Sequence, residues 1–209
     1  MTGRIPAVIL AGGRSTRMGG GDKVLKPLTG KPVLAHVIER LRPQAGPIAL
    51  NANGDPTRFE SFGLPVISDT VAGFAGPLAG ILAGMEWASQ ATGSRHLLSV
   101  AGDTPFFPAD LAERLLNAAG THQKLVLAHS GGGAHPVFGL WPLDLRGDLL
   151  RFLTDAKTFK VMAFAETSGY MLADFPMATA GGREVDPFFN VNTADELAAA
   201  EAIRAEWAP

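Results

Sequence analysis

The sequence predicts a three-layer α/β/α fold with a mostly parallel sheet. Short, continuous apolar runs alternate with amphipathic segments along the chain, and the 25 glycines and 15 prolines are spread between them instead of being gathered in a linker. Such runs are typical of strands buried on both faces, and their alternation with helices favours a parallel sheet covered on two sides. A length of 209 residues fits a single domain, residues 1–209.

Hydrophobic periodicity places the elements in order. Strands are predicted at residues 5–10, 47–51, 65–68, 96–101, 125–128, 137–141 and 188–191. Helices are predicted at residues 32–41, 77–90, 108–119, 143–153 and 193–207. Pro77 suits the first turn of its helix, and Thr193 with Glu196 forms a capping box. Residues 130–134 are expected to be a flexible connection between two strands.

Composition and charge exclude several classes of protein. With 46% hydrophobic and 18% charged residues, the bulk of the chain is not disordered. A net charge of -2 provides no basic field for nucleic acid. The absence of cysteine excludes disulfides, thiol catalysis and thiolate metal sites, and fits a reducing compartment. The first apolar run is too short for a signal-peptide core or a membrane span, so we expect a cytoplasmic enzyme without a membrane partner.

The segment after the first predicted strand has the composition of a phosphate-binding loop. Residues 10–23 read LAGGRSTRMGGGDK. Glycines leave backbone N–H groups free to face phosphate oxygens, and Arg17 and Lys23 add positive charge. Because Val24 follows Lys23, the spacing does not fit a P-loop, and the absence of G-x-G-x-x-G disfavours a dehydrogenase. The alternative interpretation is a flexible glycine-rich surface turn.

Polar residues follow three further predicted strands, at the edge of the sheet where ligands bind in such folds. Asp103 comes after an apolar strand and before Thr-Pro. It is either a ligand for Mg²⁺, which takes one or two carboxylates plus substrate phosphates, or a cap of the next helix. Asn51 and Asp69 end two other strands, and each is either a nucleotide contact or a turn residue.

Short motifs follow one another along residues 6–200. They are LAGG at 10–13, RMGG at 17–20, DK at 22–23, NAN at 51–53, GPLAG at 76–80, DTP at 103–105, HPV at 135–137 and FNVNT at 189–193. Together and in this order they resemble the motifs of the molybdenum cofactor guanylyltransferase family of nucleotidyltransferases. The first motif is shared by many nucleotidyltransferases, whereas the GG-x-D-K ending of the glycine-rich segment is similar to that of the guanylyl branch of the family.

The resemblance implies a Rossmann-like nucleotidyltransferase fold whose N-terminal half binds the nucleotide and whose C-terminal half binds the acceptor. It implies Mg²⁺-dependent transfer of GMP from GTP to the terminal phosphate of Mo-molybdopterin, with release of pyrophosphate and hand-over of the product to maturation chaperones or apo-enzymes. The implied catalytic residues are Arg17, Lys23 and Asp103, with Asp103 as the metal ligand. The implied GTP-binding residues are Leu10, Ala11, Gly12, Gly13, Lys23, Asn51, Asp69 and Asp103. The implied acceptor-binding residues are Gly80, His135, Asn190 and Asn192, of which the last two alternate along a predicted strand and so share a face.

Two alternatives remain open at this point. A cytidylyltransferase or a sugar-phosphate nucleotidyltransferase of the same fold would differ in the nucleobase or the acceptor. A non-catalytic adaptor would bind the nucleotide without releasing pyrophosphate, although the joint presence of Arg17, Lys23 and Asp103 disfavours it. No Ser/His/Asp or Cys/His arrangement is recognisable, and none is required if the nucleophile is a phosphate monoester, which is largely ionised at neutral pH.

Overall fold

The computed structural model describes residues 4–12, 22–71, 76–155 and 158–206. Its strands are β1 (Ala7–Leu10), β2 (Pro27–Leu28), β3 (Lys31–Pro32), β4 (Ile48–Asn51), β5 (Val66–Ile67), β6 (His96–Ala101), β7 (Leu125–Ser130), β8 (Gly133–Pro142), β9 (Tyr170–Asp174), β10 (Ala178–Ala180) and β11 (Arg183–Val185). Its α-helices are α1 (Val33–Leu41), α2 (Pro77–Ala91), α3 (Leu111–Ala119), α4 (Arg146–Asp155), α5 (Val161–Ser168) and α6 (Ala194–Glu206). Short 3-10 helices lie at Lys23–Leu25, Pro56–Phe62 and Leu143–Leu145.

Seven strands form one central sheet in the order β5-β4-β1-β6-β8-β7-β9. β5, β4, β1 and β6 run parallel, as do β7 and β9, whereas β8 is antiparallel to both of its neighbours. The prediction of a mostly parallel sheet is therefore confirmed. From β1 the chain moves outward to β4 and β5, and then returns to β6 on the other side of β1. This reversal of direction creates a crevice at the carboxyl ends of β1 and β6, where open α/β sheets bind ligands.

Helices cover both faces of the sheet, which confirms the three predicted layers. Side chains of β1 alternate, so Ile9 joins the core formed with α1 and α3, and Val8 joins the core formed with α2, α4 and α5. A smaller cluster that includes Leu28, Phe106 and Ala200 packs α6 against the β2–β3 hairpin. Among the described residues, no helix is both long and apolar enough to cross a membrane.

Two predicted segments differ from the structure, and some elements were not predicted. The connection expected to be flexible is a tight hairpin turn, because Gly131 and Gly132 adopt the positive φ angles, 55° and 82°, that this turn requires. The strand predicted at residues 188–191 is wrong. Its backbone donors are used elsewhere: Phe188 N–H donates to Asp186 Oδ1 (2.9 Å) and Val191 N–H donates to Asp103 O (2.9 Å). Finally, α5 and β9, which complete one edge of the sheet, were not predicted.

Candidate active site

A cavity of about 790 Å³ lies at the carboxyl ends of β1, β4 and β6. The N-terminal half of the chain contributes Leu10, Gly12, Asp22, Lys23, Asn51, Asn53, Arg58, Asp69 and Asp103 to its wall. The C-terminal half contributes His135, Pro136, Phe138, Phe188, Asn190 and Asn192. The cavity thus collects most of the predicted nucleotide-binding residues together with three of the four predicted acceptor-binding residues.

Close contact between the ends of β1 and β6 brings Asp103 beside the start of the glycine-rich segment. The N–H of Gly102 donates to Leu10 O at 3.0 Å. A Cβ atom on Gly102 would stand 3.0 Å from that same oxygen and 3.3 Å from Ala11 Cα, so a larger residue would force the two strand ends apart. Glycine before Asp103 therefore allows the closest approach of the two strand ends.

The central feature of the cavity is an ion pair between Lys23 and Asp103 that is extended by Asn192. Lys23 Nζ contacts Asp103 Oδ2 and also donates to Asn192 Oδ1 at 2.7 Å. The side chains of Lys23 and Asp103 are only 22% and 11% exposed. Removing one partner of such a shielded pair leaves an uncompensated charge, so each side chain depends on the other.

The segment before α6 is what holds Asn192 in this position. The backbone N–H groups of Asn192 and Thr193 both donate to Glu196 Oε2, at 2.7 and 2.9 Å, and the N–H of Glu196 donates to Thr193 Oγ1 at 3.2 Å. This confirms the predicted capping box. The capping box also links the N-terminus of α6 to the nucleotide half of the cavity, because the side chain of Asn192 accepts a hydrogen bond from Lys23.

The oxygen donors around Asp103 are of the chemical kind that a magnesium ion takes, and Lys23 Nζ bonds to one oxygen of Asp103 and to that of Asn192. Asp103 and Asn192 offer carboxylate and amide oxygens, which are the donors that this hard cation prefers. Within the described ranges, no group of three or more His, Cys, Asp or Glu residues is arranged around a common metal position. Mg²⁺ does not need such a cage, since it keeps several waters and takes its remaining ligands from one or two carboxylates and substrate phosphates.

A second hydrogen-bonded group forms the wall at the ends of β4 and β5. Asn51 Nδ2 donates to Asp69 Oδ1 at 2.9 Å, and Asn53 Nδ2 donates to Asp69 Oδ2 at 2.7 Å. The backbone N–H of Asp69 in turn donates to Asn53 Oδ1 at 2.9 Å. The carboxylate of Asp69 is therefore fixed by two amides and presents its remaining lone pairs in a defined direction.

Gly80 lies beneath this wall and not on it. It is buried in α2, and a Cβ atom there would stand 2.1 Å from Asn51 Oδ1 and 3.0 Å from Leu10 Cδ2. Because Gly80 has no side chain, it leaves room for the side chain of Asn51. The structure thus gives Gly80 a packing role, and its implied contact with the acceptor stays a prediction.

The opposite wall contains a partly buried histidine held by residues that the sequence did not single out. His135 stacks on Phe188 with ring centroids 4.3 Å apart, and its Nε2 lies 2.7 Å from Ser130 Oγ. Ser130 Oγ donates to Asp186 Oδ1 at 2.7 Å. Burial lowers the pKa of His135, while the nearby Asp186 carboxylate acts in the opposite direction. The net effect favours a neutral ring on this wall.

Sequence reasoning also missed Arg58, which enters the cavity from the 3-10 helix Pro56–Phe62. Its Nε lies 3.2 Å from Asp22 Oδ2, and its Nη2 donates to Asn53 O. The one feature of the sequence that could have drawn attention to Arg58 is that no other Lys or Arg occurs between residues 52 and 68.

Several predicted residues remain to be placed. Arg17 and Gly13 lie outside the described residues, so their roles stay predictions. Ala11 is buried at the end of β1, where its N–H donates to Asn51 O at 2.9 Å. Asn190 lines the same cavity as Asn192, although the two do not share a strand.

This fold, with a lysine–carboxylate pair at the switch point of the sheet, is that of a nucleotidyltransferase, and the comparisons agree. The family model described as "MobA-like NTP transferase domain" matches residues 7–169. The chain is 49% identical over 197 residues to a molybdenum cofactor guanylyltransferase of Mesorhizobium japonicum, with 94% of each chain covered. It is 48% identical over 206 residues to one of Bradyrhizobium sp., with 98% of this chain and 95% of the relative covered.

A solved structure shows the same fold. The crystal structure of molybdopterin-guanine dinucleotide biosynthesis protein A from Archaeoglobus fulgidus superposes with a TM-score of 0.75 at 20% identity, covering 97% of this chain and 100% of that one. The chain belongs to the MobA-like NTP transferase family and, within it, to the molybdenum cofactor guanylyltransferases.

Proposed function

We propose that this protein transfers GMP from GTP to the terminal phosphate of Mo-molybdopterin, in a Mg²⁺-dependent reaction that releases pyrophosphate and forms the guanine dinucleotide cofactor. The observation that carries the proposal is the cluster of Lys23, Asp103 and Asn192, which joins the two halves of the chain inside one cavity. The relatives are molybdenum cofactor guanylyltransferases by name, which supports the same reaction.

The chemistry asks the protein mainly to position reactants and to neutralise charge. A phosphate monoester has a second pKa of about 6, so the attacking oxygen is already largely ionised at neutral pH. A general base then contributes little. What remains is to align the acceptor phosphate with the α-phosphorus of the nucleotide and to stabilise the charge that grows on the leaving pyrophosphate.

Lys23 is the residue best placed to stabilise that charge. An ammonium group has three N–H donors, of which Asp103 and Asn192 take two. Among the described residues nothing accepts from the third donor, which can therefore bond a phosphate oxygen. Because the pair is shielded from water, a positive charge at this point acts more strongly than it would on the surface.

Asp103, with the amide oxygen of Asn192 beside it, would hold the magnesium ion. When bound, the ion supplies positive charge to the phosphate oxygens. Arg17 is proposed as a further phosphate ligand from the glycine-rich segment.

The wall formed by Asn51, Asn53 and Asp69 is proposed to bind the base. Guanine presents adjacent N–H donors on its Watson–Crick edge, and a carboxylate with fixed orientation is a matching acceptor. Cytosine lacks that pair of neighbouring donors. His135 and Asn190 are proposed to contact the acceptor from the other wall, and the product would then pass to an apo-enzyme or a dedicated chaperone.

Thermal unfolding with Mg²⁺ and each of GTP, ATP, CTP and UTP tests the nucleotide. A ligand at about a hundred times its Kd adds roughly 2.7 kcal/mol of stability, which at about 2–4 °C per kcal/mol is easily measured. We expect the largest shift with GTP. A shift with CTP alone would assign the protein to the cytidylyl branch, and no shift with any nucleotide would contradict the proposal.

Turnover of Asp103→Asn tests the enzyme itself. We expect this variant to lose metal-dependent release of pyrophosphate in the presence of the acceptor, while it remains folded. Asp110→Asn is the matched control, because Asp110 pairs with Arg114 at the surface, where both side chains are 44% exposed. Nucleotide binding by the wild type without any release of pyrophosphate would favour the adaptor.

A further inference from the structure

We propose that Arg58 is a positioning residue for the donor nucleotide, and that it clamps the end of the glycine-rich segment to the wall that holds Asp69. This inference rests on the proposed function and adds a residue to the same site. Arg58 makes two separate contacts with its forked head group, one to the side chain of Asp22 and one to the backbone of Asn53.

The first contact is an ion pair with Asp22, the residue directly before Lys23. Arg58 Nε lies 3.2 Å from Asp22 Oδ2, and the two side chains are 33% and 17% exposed. Asp22 also precedes the 3-10 turn Lys23–Leu25, at a position where an aspartate ordinarily accepts a hydrogen bond from the turn's own N–H groups.

Asp22 does not make that local bond. Asp55, which holds the equivalent position before the 3-10 helix of Arg58, does so: its Oδ1 accepts from Thr57 N at 2.9 Å. The carboxylate of Asp22 is instead engaged by Arg58, which is 36 positions away along the chain. A short-range bond has been replaced by a contact between residues that are far apart in the sequence.

The second contact extends the link to the proposed base site. Arg58 Nη2 donates to Asn53 O, and the side chain of Asn53 is bonded to Asp69 through both its amide nitrogen and its oxygen. An unbroken series of contacts therefore runs from Asp22 through Arg58 and Asn53 to Asp69. Lysine at this position would carry the charge but could not reach two partners with a planar fork.

Charge gives a second reason for the arrangement. Asp22 lines the same cavity as Lys23, so its carboxylate would repel the phosphates of a nucleotide if it were not neutralised. Arg58 supplies that neutralisation. Its guanidinium lies 4.9 Å from the ring centroid of the buried Phe59, which further restricts its position.

The two effects make a specific prediction for a double-mutant cycle. Arg58→Gln leaves Asp22 as an uncompensated charge, and we expect it to raise the Kd for GTP in the presence of Mg²⁺ about tenfold, equivalent to about 1.4 kcal/mol. Adding Asp22→Asn removes the repulsion, so we expect the double variant to recover to within about threefold of the wild type. Arg58→Lys should fall between the wild type and Arg58→Gln.

Isothermal titration calorimetry measures these constants, and Arg42→Gln is the matched control, since Arg42 is an exposed arginine at the end of α1. Steady-state kinetics distinguishes positioning of the nucleotide from a purely structural role. KM for the nucleotide should rise with Kd, while kcat changes by less than about twofold. Unchanged binding by Arg58→Gln, or a double variant that binds no better than Arg58→Gln, would overturn the inference.

The wild type separates this failure from that of the proposed function. If the wild type binds GTP and Arg58→Gln binds it equally well, only the role of Arg58 is wrong. If the wild type binds another nucleotide in place of GTP, the proposed donor is wrong, and the same cycle measured with that nucleotide decides the role of Arg58. If the wild type binds no nucleotide, both proposals are overturned.

Discussion

Replacing Gly80 by alanine would place a methyl group directly against the base wall of the cavity. The new Cβ would stand 2.1 Å from Asn51 Oδ1 and 2.8 Å from Asn51 Cγ, well inside van der Waals contact. Gly80 lies in α2 and Asn51 ends β4, so helix and sheet are packed too tightly here to separate without loss of other contacts. The side chain of Asn51 must therefore move.

The size of the effect follows from three contributions. Overpacking a buried position costs about 2 kcal/mol, and loss of the bond from Asn51 Nδ2 to Asp69 costs about 1 kcal/mol more. Alanine regains about 1 kcal/mol over glycine within a helix. We therefore expect a net destabilisation of about 2 kcal/mol, or a fall in Tm of roughly 4–8 °C for a domain of this size. Because Asn51 orients Asp69, nucleotide affinity should fall as well.

Two other helical glycines serve as matched controls for this assay, which combines thermal unfolding with titration of GTP. A Cβ on Gly84, one turn further along the same face of α2, would meet Val8 Cγ1 at 2.8 Å and Leu97 Cδ2 at 3.0 Å in place of Asn51, so Gly84→Ala should lower stability alone. A Cβ on Gly147 in α4 meets no described atom within 4 Å, so Gly147→Ala should raise stability by up to about 1 kcal/mol. If Gly80→Ala bound GTP as tightly as the wild type, the role assigned to Asn51 would be refuted.

Three further predictions concern the cap of α6, a half-buried histidine and the acceptor wall. Thr193→Ala should cost about 1 kcal/mol and lower Tm by about 2–4 °C, and an unchanged Tm would contradict a functional cap. Burial lowers the pKa of His96 below its usual 6.5, and its Nε2 is buried without a hydrogen-bond partner among the described residues. The folded state therefore binds fewer protons than the unfolded state, so its stability is complete above pH 6.5 and falls as the pH drops below that value. His96→Gln should flatten the dependence of Tm on pH between pH 8 and 5.5. A decline as steep as that of the wild type would contradict this prediction. Asp186→Asn should raise KM for the acceptor and leave the Kd for GTP unchanged, because Asp186 holds Ser130 beside His135 on the acceptor wall. A change in GTP affinity alone would assign this wall to the nucleotide instead of the acceptor.

The parts of the fold that sequence could predict are those in which local pattern and final packing agree. β1, β4 and β6 are short, mostly apolar runs followed by glycine or polar residues, and each is buried in the sheet as the run implies. α5 and β9 escaped prediction because α5 spans only 8 residues and carries no clear polar face, whereas β9 is an edge strand with Leu172 exposed. The strand predicted at residues 188–191 failed because its backbone donors bond to Asp186 and to the Asp103 loop, which no local pattern reveals.

In the site, the motifs led to the residues but not to the contacts between them. Lys23 and Asp103 were both predicted, yet their direct pairing depends on the contact between the ends of β1 and β6. Ser130 and Arg58 belong to no motif. Each acts through a partner that is distant in sequence or lies across a turn, and so the chemistry of either residue becomes visible only after folding.

The cap of α6 also positions a residue of the site, Asn192. From the sequence, Thr193 and Glu196 form a cap whose evident purpose is to satisfy the first N–H groups of α6. In the structure Glu196 Oε2 also accepts from the N–H of Asn192, which lies one residue before the cap. That bond fixes the backbone from which the Asn192 side chain reaches Lys23, 169 positions away in the chain. If the cap positions Asn192 in this way, Glu196→Ala should weaken nucleotide binding more than Thr193→Ala does, because only Glu196 contacts the backbone of Asn192. Equal losses of GTP affinity in the two variants would show that the cap acts through helix stability alone.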